Sequence, residues 1–149
     1  MSNSIFLMCI ALLAGAMMPT QAATNSQMAA VTGSPILAAF LSFLVGTVAL
    51  FVCVVFSGTP MTSFAAVKDA PPIAWAGGLF GAFFVTAAVL LVPRIGVAMT
   101  FSALIAGQMI VTLIIDHYGL LGVQVREVSF ARIGGILLIS AGVILIRRF

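Results

Sequence analysis

PILAAFLSFLVGTVALFVCVVF, the run from Pro35 to Phe56, holds no charged side chain, and its only hydroxyls are Ser42 and Thr47. A helix of about 20 apolar residues crosses the hydrocarbon layer, because it satisfies its backbone N–H and C=O groups within one segment. This run has that length. Reading outward from it gives four more: Ile5 to Val31, Ile73 to Val92, Val97 to Ile115 and Phe130 to Ile146. The expected fold is an all-α membrane protein with five transmembrane helices in a single domain over 1–149.

Composition agrees. Of the 149 residues, 63% are hydrophobic and 6% charged, against about 25% charged in a soluble domain, and mean hydropathy is +1.32. Such a chain cannot cover itself with water-compatible side chains, so its solvent is lipid. The net charge of +3 comes from Lys68, Arg94, Arg126, Arg132, Arg147 and Arg148 against Asp69, Asp116 and Glu127. These bases are too scattered to neutralise a run of phosphates, and no nucleic-acid partner is expected. Cys9 and Cys53 sit in apolar runs, where a thiol behaves as a small hydrophobe rather than half of a disulfide.

Turn signals punctuate the spans: Thr32, Gly33, Ser34 and Pro35; Gly58, Thr59 and Pro60; Pro71 and Pro72; Pro93, Arg94, Ile95 and Gly96. Between Ser57 and Pro72, a connection carrying Phe64, Val67, Lys68 and Asp69 has the make-up of an interfacial segment. The other sizeable loop runs from His117 to Ser129. Ile5 to Met18 followed by Pro19, Ala22 and Ala23 imitates a secretory signal, but no basic residue precedes it. It is therefore kept as the first span.

With five crossings, Lys68, Arg126 and Arg132 fall on one side of the membrane and Arg94, Arg147 and Arg148 on the other. Under the positive-inside rule this tie favours neither orientation. Either one end anchor such as Arg147 with Arg148 dominates, or chains insert both ways and pair antiparallel. The second arrangement builds from two copies the inverted repeat that many transporters carry in one chain. Size favours a pair, since five short helices can hardly enclose a cavity and two gates.

Lipid removes the hydrophobic drive between helices, so close packing falls to small residues four apart. Ala38, Ser42 and Gly46 form such a stripe, as do Ala74, Gly78, Ala82 and Thr86 beside Gly77 and Gly81. Ala103 with Gly107, and Ala131 with Gly135 and Gly142, offer others. These glycines are expected mainly to pack helices within the chain.

Polar side chains in apolar spans are the candidate site. Pro19 is expected to interrupt the first helix, with Gln21, Thr24, Asn25, Ser26 and Gln27 following within two turns. Gln21 and Asn25 share a face. Thr100, Gln108, Thr112 and Asp116 trace a stripe along the fourth span, with Gln108 near mid-membrane. These amides either bond neighbouring helices or hydrogen-bond a substrate. Asp116, beside His117 and Tyr118, either pairs with Arg126 or Arg132 or couples transport to protons. Trp75 fits the aromatic belt first and a cavity lining second. With one histidine, no nucleophile motif and only two acids near the membrane ends, neither an enzyme, a metal site nor a cofactor is expected.

Several strings carry a family likeness: Gln21 to Asn25; Trp75, Ala76, Gly77, Gly78 with Gly81; and Pro93, Arg94, Ile95, Gly96. The most specific is Ala106, Gly107, Gln108 followed by Ile115, Asp116, His117, Tyr118, Gly119, Leu120, Leu121 and Gly122. Arg132, Gly134, Gly135 and Gly142 complete it. Over nearly its whole length the chain resembles the YdcZ-type five-span proteins of the drug/metabolite transporter superfamily. That resemblance implies a bacterial inner-membrane protein, equivalent to half of a ten-span inverted-repeat transporter, in a family that includes dual-topology singles, opposed pairs and fused forms. Gln21, Asn25, Trp75, Gln108 and Asp116 match its motifs, and no substrate is implied. The small multidrug resistance exporters, more distant relatives, hold a membrane-embedded glutamate in their first helix. Here the sole glutamate is Glu127 in a loop, so the likeness points no more to cation export than to neutral or zwitterionic metabolites.

The expectation is a small-molecule transporter working by alternating access as an antiparallel homodimer in lipid, with Gln21, Asn25, Gln108 and Trp75 at the substrate and Asp116 as the coupling candidate. A dual-topology channel and a non-transporting assembly subunit are the alternatives.

Overall fold

A computed structural model describes residues 2–148. Six α-helices make it up: α1 (Ser2–Thr32), α2 (Pro35–Phe56), α3 (Met61–Ala66), α4 (Pro72–Ile95), α5 (Val97–Tyr118) and α6 (Phe130–Arg148). Short 3-10 turns cover Val67–Asp69 and Leu120–Gly122. All but α3 are long and apolar enough to cross a membrane. They pack as two compact units, one ending at Pro93 and the other beginning at Arg94.

In the first unit, α1 and α2 form a helical hairpin around Gly33 and Ser34. Gly33 takes the left-handed conformation (φ 70°) that reverses the chain. Ser34 caps α2 by accepting the Leu37 N–H on its hydroxyl at 3.2 Å, and Pro35 fits the first turn, where its missing N–H costs nothing. α4 lies on α2 through Val85 and Val89 against Ala38 and Ala39, with Ala29 and Phe84 at the edge. The contact is made by side chains, and dispersion between them replaces the hydrophobic drive that lipid removes. Large side chains point the other way: Phe56 and Phe83 are 86% and 77% exposed. Small groups inside and large apolar groups outside suit a lipid solvent.

The second unit is the α5–α6 pair. Gly96 (φ 80°) opens α5, and the Thr100 hydroxyl folds back onto the Gly96 carbonyl at 2.7 Å. Gly119 (φ 60°) closes the helix by donating its N–H to the Ile115 carbonyl, the left-handed cap that glycine allows. Leu121 repeats that conformation (φ 60°) without a glycine's freedom. The chain then runs extended to Ser129, whose hydroxyl accepts the Arg132 N–H at 3.3 Å and caps α6.

Several sequence expectations are corrected here. Pro19 does not interrupt α1, which continues through it for its full length. The Gly15 carbonyl loses its usual donor, yet the neighbouring turns hold, and the Thr20 hydroxyl bonds the next carbonyl, that of Ala16, at 3.0 Å. Pro93 likewise lies inside α4, and Gly96 alone separates α4 from α5. His117 and Tyr118, expected to begin the loop after the fourth span, lie in the last turn of α5. Among the stripe glycines, only Gly81 is closely approached: a Cβ there would lie 3.4 Å from the Phe43 ring. Gly46, Gly77, Gly78, Gly107, Gly135 and Gly142 have nothing within 4 Å of that position, so within the chain close packing rests on alanine instead.

Candidate functional site

On α1, the run Gln21 to Gln27 divides into groups the helix consumes and groups it leaves over. The Thr24 hydroxyl donates to the Gln21 carbonyl at 2.9 Å and the Ser26 hydroxyl to the Ala22 carbonyl at 2.8 Å. In apolar surroundings a hydroxyl does best by returning its proton to the preceding turn. The amides are too long for that. Gln21 reaches across to α2, its Nε2 donating to the Ser42 Oγ at 3.3 Å.

Asn25, one turn further on, is 7% exposed, and its Nδ2 has no hydrogen-bond partner. Ala22 on α1 and Ala38 and Ala39 on α2 are buried with it. A buried donor without an acceptor keeps its desolvation cost of about 1–3 kcal/mol, and buried polar groups are otherwise almost always paired. The structure thus brings Gln21 to Ser42 and buries Asn25 one turn further along α1. By sequence Ser42 counts only for its small size; a hydroxyl in an otherwise apolar run was the available signal.

Trp75 stands apart from these amides on the first turn of α4 and is 64% exposed, as an aromatic belt residue would be. Gln108 lies midway along α5, exposed and without a partner among the described residues.

Asp116 is held at the end of α5. Its Oδ2 accepts from Arg132 Nη2 at 3.2 Å, with both side chains partly buried. Arg126, the alternative partner, contributes its backbone N–H to the Asp116 carbonyl at 2.8 Å. His117 uses Nδ1 to accept the Val128 N–H at 3.4 Å and meets the Tyr118 ring edge-on. Two open grooves run between α5 and α6. One of about 360 Å³ has Ile110, Leu113, His117 and Tyr118 among its walls. The other, about 240 Å³, has Thr112, Asp116, Arg132 and Gly135. Among the described residues no three His, Cys, Asp or Glu side chains come close enough to hold a metal ion.

Five helices long and apolar enough to span a membrane, with large apolar side chains turned outward, define a multi-pass membrane protein. The family model described as "Putative inner membrane exporter, YdcZ" matches residues 6–145, and the chain belongs to that family. It is accordingly an inner-membrane transport protein, with lipid as its surroundings and a small molecule as its cargo. No curated protein and no solved structure matches it.

Proposed function

We propose that the chain moves a small molecule by alternating access as an antiparallel, dual-topology homodimer, with Gln21, Asn25 and Gln108 presented to the substrate and Trp75 as an outer wall. The observation that carries this reading is the buried, unpartnered Nδ2 of Asn25. A protein that needed this residue only for packing would place an apolar side chain there, or give the amide an acceptor. A carrier must keep such a group free for its cargo. Gln108 supports the same reading, since an exposed amide midway along an apolar helix is expensive in hydrocarbon unless something outside the helix meets it.

The pairing of two copies rests on size and charge. Lys68, Arg126 and Arg132 balance Arg94, Arg147 and Arg148 across the membrane, which suits a chain that inserts in both orientations. In this scheme Asp116 would couple transport to protons only by releasing Arg132 during the cycle.

Two measurements test the proposal. Gln108→Leu is expected to abolish flux in proteoliposomes while leaving assembly intact; unchanged flux removes Gln108 from the site. A tag on the carboxy terminus should be found on both faces of the membrane, and its confinement to one face ends the dual-topology scheme.

A further inference from the structure

Resting on that transport reading, we infer that the α1–α2 face takes an uncharged ligand, to whose carbonyl or hydroxyl oxygen Asn25 donates.

The free groups at this face are few. Thr24 and Ser26 have spent their protons on α1's own carbonyls, and Gln21 Nε2 has spent one on Ser42. What remains without a partner among the described residues is the buried Asn25 Nδ2 donor, with its own Oδ1, the Ser42 hydroxyl proton, the Gln21 Oε1 acceptor and the exposed Gln27 amide. All of these groups are neutral. Neither α1 nor α2 contains an acidic, basic or histidine side chain, and none occurs in α4 before Arg94. In the unit ending at Pro93 the only charged side chains are Lys68 and Asp69, in the 3-10 turn between α3 and α4.

A charged ligand brought against this face would lose its hydration and meet no counter-charge, a cost that a few amide and hydroxyl dipoles do not offset. An uncharged ligand loses far less on leaving water. Its oxygen would also satisfy the donor that closure of α1 on α2 otherwise leaves stranded. Closure around an empty face strands that donor and closure around the right ligand satisfies it, so recognition and closure draw on the same hydrogen bond.

The test uses three probes that share one ring and differ in charge: nicotinamide (neutral), nicotinate (anionic) and 1-methylnicotinamide (cationic). Each is added at millimolar concentration to the purified full-length protein in detergent at pH 8, and the melting temperature is read. Nicotinamide is expected to raise it by several degrees and the charged pair not at all. Asn25→Ala should weaken apparent nicotinamide binding at least tenfold. Asn25→Asp, equal in shape but lacking the N–H donors, should transfer the response to 1-methylnicotinamide, and it serves if the alanine variant does not fold. A rise with either charged probe on the parent protein overturns the inference, as does a response to none of the three or a nicotinamide response that survives both substitutions. Melting reports binding alone, so these results separate from failure of the transport reading, which shows as no flux of any of the three probes in proteoliposomes of the parent protein.

Discussion

Arg132 Nη2 lies 3.2 Å from Asp116 Oδ2, while its Nη1 donates to the Arg126 carbonyl at 3.1 Å. Arg126 in turn donates its N–H to the Asp116 carbonyl, closing a ring through the end of α5, the extended loop and the first turn of α6. The guanidinium fork makes both contacts at once, which a single ammonium does not reproduce.

Arg132→Lys is therefore expected to loosen the loop at 123–129 even though the charge is kept. The side chains are 34% and 25% exposed, so the loss should be about 1 kcal/mol or less. Limited proteolysis should cut this loop faster in the variant. Equal cleavage rates would show that the fork contributes nothing.

Gly119→Ala should cost more. The position has φ 60°, and an added Cβ would lie 2.7 Å from Val125 Cγ2 and 3.3 Å from the Val123 carbonyl oxygen. The left-handed conformation alone costs a non-glycine residue roughly 1–2 kcal/mol. Gly135→Ala, with nothing within 4 Å and an ordinary helical backbone, is the control and should melt no lower than the parent.

Ala38→Leu tests the α2–α4 contact. Ala38 is 1% exposed in the cluster with Val85 and Val89, so three extra carbons must displace a helix or strain a rotamer, at about 1–3 kcal/mol. Thermal melting followed by circular dichroism reads this directly. A variant as stable as the parent would mean that α4 is not seated there.

Pro19→Ala returns an N–H to the Gly15 carbonyl within a continuous α1. A proline inside a helix costs about 3 kcal/mol when nothing compensates, so the variant should melt higher. If transport falls while stability rises, the proline is kept for motion rather than for fold. A lower melting temperature would show that the carbonyl already has a partner which alanine disturbs.

Much of this was legible along the chain. The five spans follow from length and composition because, in lipid, each segment must satisfy its own backbone, a condition that can be checked without knowing its neighbours. The helix boundaries set by capping were readable too, as at Ser34 with Pro35. The proline rule failed at Pro19 and Pro93 because it holds best where water competes for a freed carbonyl. In an apolar medium the remaining helical hydrogen bonds have no such competitor, and the helix continues.

The site was only half legible. Sequence named Gln21, Asn25 and Gln108 alike as amides out of place in lipid, since residue type and depth are one-dimensional facts. It took the packing of α1 on α2 to decide that Gln21 bonds Ser42 while Asn25 is buried with nothing to bond. A hydrogen bond depends on the rotation of one helix against another, and a four-residue spacing says which residues share a face but not what that face meets. For the same reason the choice of Arg132 over Arg126 for the Asp116 carboxylate, and of alanine over glycine for the close contacts, belonged to tertiary structure alone.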